Sequence, residues 1–237
     1  MSIGLVFPLE AMGRKLGRGA TRACRASVPV ILKHDSSEWP LSVLCEVIAQ
    51  RLAAATGAPV VPGIATLGPL GIGFACLQVD PRSVAFSASS AEASRRLVQL
   101  DPQGCALLLA LDALIGNDDR LGNTYAYRTS SGIRALGFDH SHALLQWGET
   151  PELSLEALSH PSTLRYHPFH ALPSELLSTA IAHVQTNAKH AIDSLDDWME
   201  CFPFAHRHWG RRLQSALGLR LDHLDALGPL PRRVSKA

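Results

Sequence analysis

The stretch that decides the fold is Ala113–Ala143, which reads ALIGNDDRLGNTYAYRTSSGIRALGFDHSHA. An apolar helix is predicted to end at Gly116, and a polar loop separates it from an alternating strand at Thr124–Tyr127. A turn at residues 130–132 leads into a second apolar strand, Ile133–Phe138. The pattern therefore predicts two strands paired as a hairpin, with polar side chains at the ends of both.

Carboxylates and an amide occupy these strand ends. Asp118 and Asp119 lie in the polar loop, Asn123 follows them, and Asp139 ends the second strand. Phosphoryl transfer in protein-kinase-like enzymes uses one aspartate near the attacking hydroxyl, an asparagine five residues on and a second aspartate, the last two holding magnesium. Turn preference alone would account for Asn117 and Asp118, but it does not account for Asp139 at the end of an apolar strand.

The same residues resemble the HipA-like kinases, and more distantly the phosphatidylinositol kinases and aminoglycoside phosphotransferases. Those families carry Gly-Asn-x-Asp-Arg-x-x-x-Asn followed by Asp-His-Ser, which read here as GNDDRLGN (116–123) and DHS (139–141). The loop is one position short. Matching the Asp-Arg pair selects Asp119 as catalytic, whereas counting back five from Asn123 selects Asp118. We favour Asp118, because five residues let one tight loop aim both side chains at a single phosphate, and Asp119 stays open.

The upstream half of the sequence contains candidate nucleotide-binding residues, and they follow one another in the order that the resemblance implies. A β-type run ends at Lys33, an amphipathic helix over Leu41–Ala55 contains Glu46, and the loop Gly57–Pro62 follows. By resemblance Lys33 pairs the α- and β-phosphates of ATP and Glu46 holds this lysine in place, while Asn123 and Asp139 bind Mg²⁺. A lone lysine or glutamate is more often a solvated charge, so the inference depends on the order of these residues along the chain.

Two further nucleotide contacts are expected from the same resemblance. Gly17 and Gly19 lie in a basic, glycine-containing segment whose backbone N–H groups could approach phosphates. The strand Gly71–Val79 is expected to contact adenine through the backbone near Leu77 and Val79.

The expected fold class is α+β, a two-lobed protein-kinase-like fold. The predicted domains are a small β-rich N-lobe at residues 1–79, a mainly helical C-lobe with the catalytic loop at residues 80–228, and a flexible tail at residues 229–237. Residues 81–90 are interpreted as a linker or a crossing between the lobes. Helices are predicted at residues 89–100, 174–192, 195–201, 206–217 and 219–227.

Composition excludes several classes of protein. The net charge is +1, which gives no electrostatic reason to expect nucleic acid or an anionic membrane as a partner. The longest apolar run is far shorter than the roughly 20 residues that span a bilayer. The five cysteines are scattered, and no secretory signal is evident, which together favour a cytoplasmic protein with reduced thiols. The eleven histidines lack the spacing of a zinc site.

The sequence thus predicts an ATP- and Mg²⁺-dependent kinase acting on Ser or Thr of a protein, and able to phosphorylate itself or act as a toxin. The resemblance also implies an antitoxin-like partner. A small-molecule kinase or nucleotidyl transferase on the same fold remains an alternative, because fold does not fix the acceptor. An alternative from a different class of function is a nucleotide-binding pseudokinase that acts as an interaction module. A third alternative is a DNA-associated regulator, which only the arginine pairs 211–212 and 232–233 support.

Overall fold

The structure is a computed structural model, and it describes residues 11–15, 24–37, 41–69, 71–144, 167–200 and 204–225. The strands in these ranges are β1 (Ala11–Lys15), β2 (Cys24–Ser27), β3 (Val30–His34), β4 (Gly63–Gly68), β5 (Gly71–Leu77), β6 (Val84–Ser87), β7 (Thr124–Thr129) and β8 (Gly132–Gly137). The helices are α1 (Ser42–Thr56), α2 (Ala91–Leu100), α3 (Pro102–Ile115), α4 (Ser174–Asp193), α5 (Leu195–Met199) and α6 (Phe204–Asp222). This content confirms the α+β class.

The N-terminal half contains an antiparallel sheet that faces α1. Strand β5 lies between β3 and β4, with Lys33 opposite Phe74 and Ile31 opposite Cys76. Paired residues of antiparallel strands share a face. Phe74 is buried in the same apolar cluster as the inner face of α1, so Lys33 points to the α1 side of the sheet. Strands β1 and β2 form a separate two-stranded sheet.

A second antiparallel sheet follows the polar loop at residues 116–123. Strands β7 and β8 pair from Thr124 opposite Gly137 to Thr129 opposite Gly132, which confirms the predicted hairpin. The interpretation of residues 81–90 as a linker is wrong in part, since Val84–Ser87 adds to β7 as strand β6. The segment is rich in small residues and serine, and a strand of only four residues is too short to show a clear alternation of apolar and polar side chains.

One hydrophobic core connects the two halves of the described chain. The apolar residues of α1, α3, α4 and α6 belong to a single cluster, and residues 104–106 and 108–115 of α3 are buried. The loop before β4 also reaches across, because Val61 N–H donates to the Gly137 carbonyl and Gly137 N–H to the Pro59 carbonyl, both at 2.8 Å. The boundary after residue 79 stays a prediction.

The C-terminal helices differ from the prediction at one point. Helices α4 and α5 fall close to the expected ranges, but the two helices expected at 206–217 and 219–227 are one helix, α6, which continues through Gly218. Leu213, Leu217 and Leu221 are buried, so packing outweighs the roughly 1 kcal/mol that glycine costs inside a helix. Within the described ranges, no single helix is long and apolar enough to cross a membrane, although α2 and α3 together, bent by 119°, meet that test of length and composition. The predicted tail lies outside the described residues.

Candidate active site

Three residues far apart in the sequence meet between β3, α1 and the end of β8. The Lys33 ammonium donates to the Glu46 carboxylate and, at 2.7 Å, to Asp139 Oδ1. Glu46 is 3% exposed, whereas the Asp139 side chain is 37% exposed. The lysine therefore connects a buried carboxylate on α1 to an accessible carboxylate at the end of β8.

The backbone at Asp139 turns its side chain toward this lysine. Its φ is +56°, a left-handed conformation that Asp tolerates better than most residues. The Ser141 hydroxyl donates to Asp139 Oδ1 at 2.6 Å, and the Ser141 N–H lies 3.3 Å from the same oxygen. Asp139 Oδ2 has no hydrogen-bond partner in the described part of the chain, so this oxygen is available to a ligand.

Glu46 is fixed by the residue that follows Asp139. The backbone N–H of His140 donates to Glu46 Oε1 at 3.1 Å, and its ring Nδ1 lies 3.5 Å from Glu46 Oε2. The Asp-His-Ser stretch thus holds the glutamate of α1 as well as presenting Asp139. The sequence predicted the Lys33–Glu46 pairing but not this role of His140.

Electrostatics favour the charged form of each of the three groups. Burial alone would lower the pKa of Lys33, but the charges of Glu46 and Asp139 outweigh it and raise the pKa. Burial opposes ionisation of Glu46, yet hydrogen bonds and charges from His140 and Lys33 lower its pKa. For Asp139, burial is likewise outweighed by Lys33 and Ser141, which lower the pKa to about 2.

Acid should weaken the fold through Asp139. Its folded pKa of about 2 lies below the ordinary 3.8, so its stabilising contribution is fully present well above pH 4 and is lost as the pH falls toward about 2. Urea unfolding of the wild type and of Asp139→Asn measures this. Between about pH 5 and pH 2 the free energy of unfolding should fall more steeply for the wild type. Parallel pH profiles would contradict the assignment.

The shortened catalytic loop closes as a tight turn. Asn123 N–H donates to the Arg120 carbonyl at 3.1 Å, and Gly122 between them has a φ of +87°. A positive φ at the third position of a four-residue turn normally requires glycine. The turn brings Asn123 back onto Asp119, whose carbonyl and Oδ2 accept from the Asn123 amide at 2.8 and 3.2 Å.

The two neighbouring aspartates differ in their exposure and in their contacts. Asp119 is half-buried, contacts Asn123 and lies 3.8 Å from the His142 ring nitrogen, measured from Oδ2. Asp118 is exposed. The sequence argument favoured Asp118 and left Asp119 open; the structure places Asp119, not Asp118, against Asn123, and which of the two is catalytic stays a prediction.

A buried ion pair between Asp112 and Arg120 holds the loop in place. Asp112 on α3 accepts from Arg120 through both oxygens at 2.7 Å, and both side chains are 0% exposed. Arg120 Nη1 also donates to the carbonyls of Asn123 and Phe138 at 2.9 Å. Arg120 therefore ties the loop to the strand end before Asp139. Sequence reasoning used this arginine only as part of a motif and missed Asp112, whose signal was a charge within an apolar helix.

The last turn of α3 is also held from other elements. Leu144 N–H donates to the Ile115 carbonyl at 2.9 Å. From α6, the buried Arg220 guanidinium donates to the Leu114 carbonyl at 2.9 Å and to the Ala113 carbonyl. Burial lowers the pKa of Arg220 to about 10. The far C-terminal helix thus fixes the helix end from which the catalytic loop departs.

The oxygen donors at the loop suit magnesium better than a softer metal. Mg²⁺ prefers oxygen ligands and is often held by one or two carboxylates together with substrate phosphates. Asn123 uses its amide nitrogen on Asp119, which leaves its Oδ1 unbonded among the described residues, like Asp139 Oδ2. In those residues no group of three His, Cys, Asp or Glu side chains could hold a metal by itself. The donor set therefore fits a metal that arrives with phosphate.

The expected adenine contacts lie beside an apolar cluster. Leu77 and Val79 pack in one cluster with the half-buried rings of Tyr125 and Phe138, which stack at 4.3 Å. Leu77 N–H is already bonded, to the Pro62 carbonyl at 2.9 Å. Val79 N–H has no hydrogen bond within the described ranges, so it remains the available donor. Gly17 and Gly19 lie outside the described residues, and their role stays a prediction.

Comparison with known proteins rests on structure alone, because no family model and no curated protein sequence matches the chain. The proinflammatory kinase CtkA of Helicobacter pylori is similar over 91% of this chain and 92% of its own, with a TM-score of 0.57 and 14% identity. HipA of Shewanella oneidensis MR-1, solved with HipB and operator DNA, is similar over 98% of this chain and 67% of its own, with a TM-score of 0.59 and 13% identity. The chain therefore has a kinase-like fold of the HipA and CtkA type.

Proposed function

We propose that this protein is an ATP- and Mg²⁺-dependent kinase that phosphorylates Ser or Thr of a protein. The observation that carries the proposal is the contact of Lys33 with both Glu46 and Asp139 beside Asn123 and Asp119. A lysine–glutamate pair and a metal-binding aspartate are both needed for phosphoryl transfer in protein kinases.

Each residue has a definite role in this reaction. The acceptor hydroxyl oxygen bonds to the γ-phosphorus as the bond to the bridging oxygen of ADP breaks, and Asp119 takes the hydroxyl proton. Lys33 neutralises phosphate charge while Glu46 holds its ammonium in place. Asn123 and Asp139 would hold magnesium, which, when bound, offsets the charge on the transferred group. Asp119 is accessible and is held by Asn123, so it can reach an acceptor beside the metal.

The comparisons support a protein partner as part of this proposal. HipA was solved with HipB and operator DNA, so an antitoxin-like protein that binds this chain and restrains its activity is a reasonable counterpart. CtkA, which matches nearly end to end, is described as a kinase. Autophosphorylation and toxin-like action belong to the same proposal.

A nucleotide-binding pseudokinase is favoured by one specific observation. The shortened loop engages the Asn123 amide with Asp119 itself, an arrangement that could hold nucleotide without presenting the aspartate to an acceptor. Under that alternative ATP and Mg²⁺ would bind, but no phosphate would be transferred.

ATP with Mg²⁺ is expected to raise the melting temperature, because a ligand that binds only the folded state stabilises it by mass action, by about 2.7 kcal/mol at 100 times its dissociation constant. For a domain of this size that is roughly 5–10 °C. Lys33→Met should abolish most of the shift. Lys189→Met, at an exposed lysine on α4, is the matched control and should leave it unchanged.

Transfer is measured in the same samples with labelled ATP and mass spectrometry of the protein and of added acceptor proteins. Label on Ser or Thr supports the kinase, and binding without label supports the pseudokinase. A folded protein with no shift at millimolar ATP and Mg²⁺ would contradict both.

A further inference from the structure

A buried histidine, His167, contacts the ion pair that holds the candidate metal ligands. His167 is 1% exposed. Its Nδ1 accepts from the Phe169 N–H at 3.2 Å, so the ring proton of the neutral form resides on Nε2. That nitrogen lies 3.0 Å from Asp112 Oδ2 and donates to it. Burial lowers the pKa of His167, with Asp112 opposing this only in part, which favours the neutral ring.

The Asp112 carboxylate accepts hydrogen bonds from three residues. Besides His167, it accepts from the Arg120 guanidinium and, at 2.8 Å, from the Asn117 amide. Four donor atoms therefore share two carboxylate oxygens, a number that fills the lone pairs of the group. Because Asp112 is wholly buried, its orientation is set, as far as the described residues go, by these donors.

Arg120 links the Asp112 carboxylate to the candidate metal ligands through hydrogen bonds. Its Nη1 is shared between the carbonyl of Asn123 and the carbonyl of Phe138, the residue before Asp139. A rotation of the Asp112 carboxylate would shift the guanidinium plane and with it the spacing of the two ligand-bearing strand ends. Outer-shell partners of this kind orient metal ligands without touching the metal.

We infer that His167 is a positioning residue for the metal site, acting through Asp112 and Arg120 on Asn123 and Asp139. The inference rests on the proposed function. Neither Phe169 nor any other described residue offers Asp112 a replacement for the bond from Nε2, and the two remaining donor residues, Arg120 and Asn117, belong to the catalytic loop itself. Among the described residues, His167 is the one hydrogen-bond donor to the Asp112 carboxylate that comes from outside α3 and the loop.

The test replaces His167 and measures Mn²⁺ binding in the presence of ATP by electron paramagnetic resonance, together with kcat and KM for ATP. His167→Phe keeps a planar ring and removes both hydrogen bonds. The Mn²⁺ affinity is expected to fall about 10–100-fold, with kcat falling in parallel and KM for ATP changing little. His167→Gln can donate from its amide nitrogen and accept at its oxygen, so it should restore most of both.

The matched control is His183→Phe. The His183 ring is exposed, donates to the Thr56 carbonyl at 2.9 Å and links α4 to the end of α1, so the variant removes a tertiary hydrogen bond of a histidine away from the metal ligands. Melting curves confirm folding. If His167→Phe is unfolded, Asp112→Asn is used instead and should show the same loss of Mn²⁺ affinity.

Two results would overturn the inference. One is a folded His167→Phe protein, or its Asp112→Asn substitute, with Mn²⁺ affinity and kcat within about twofold of the wild type, well short of the effect expected of such partners. The other is an equal loss in His183→Phe, or no recovery in His167→Gln, either of which would indicate a general loss of packing. If both His167→Phe and Asp112→Asn fail to fold, the two residues are structural and the inference fails. Failure of the proposed function is seen separately, as a wild type that transfers no phosphate, and the Mn²⁺ affinities still test the inference if that wild type binds Mn²⁺ and ATP.

Discussion

Asp119→Asn is expected to reduce phosphoryl transfer by about 10²–10⁴-fold, the usual contribution of a positioned acid–base group. The substitution keeps the size of the side chain but removes the charge that accepts the hydroxyl proton. Asp119 is the loop carboxylate that contacts Asn123, so its position next to the proposed metal is already set. Initial rates of transfer from labelled ATP to protein measure the effect.

Asp118→Asn is the matched control, one residue away. Asp118 is exposed, so this variant should keep most of the activity, and both variants should still shift in melting temperature with ATP and Mg²⁺. The reverse pattern would return the catalytic role to Asp118, and two mild effects would favour the pseudokinase.

Arg120→Met is expected to lower the free energy of unfolding by about 3–5 kcal/mol, because removing one partner leaves a buried charge without compensation. Asp112 is wholly buried and would keep its carboxylate next to neutral donors only. In a domain of this length the melting temperature should fall by roughly 6–20 °C. Urea denaturation at neutral pH measures the change.

Arg82→Met provides the control for charge removal. Arg82 also pairs with an aspartate, Asp80, but its side chain is 87% exposed, and exposed ion pairs contribute little. The variant should unfold close to the wild-type midpoint. An equally small effect for Arg120→Met would show that the buried pair does not support the fold.

Much of the site was predictable because its residues occupy strand ends and a helix in a fixed order. Lys33, Glu46 and Asp139 were selected by that order, and the structure brings them within hydrogen-bonding distance. The β7–β8 hairpin followed from alternation around a turn. Local pattern suffices for the hairpin, because its two strands are neighbours in the sequence, whereas Lys33, Glu46 and Asp139 were selected through the family resemblance.

The remainder depends on tertiary contacts that no local pattern encodes. His167 contacts Asp112 across 55 positions of sequence, a separation over which local sequence pattern gives no signal. The choice between Asp118 and Asp119 depends on the backbone at Gly122, whose positive φ folds Asn123 back. Strand β6 was missed because a four-residue strand is defined by its partner rather than by its own sequence.

The contact of Lys33 with Asp139 has a consequence for the order of ligand addition. The Lys33 ammonium donates to Oδ1 of the carboxylate proposed for the metal, so a divalent cation on that carboxylate would lie beside a positive charge. The phosphates of ATP offer Lys33 a new anionic partner and release that oxygen. Metal and nucleotide should then each strengthen the binding of the other by the same factor, as linkage requires.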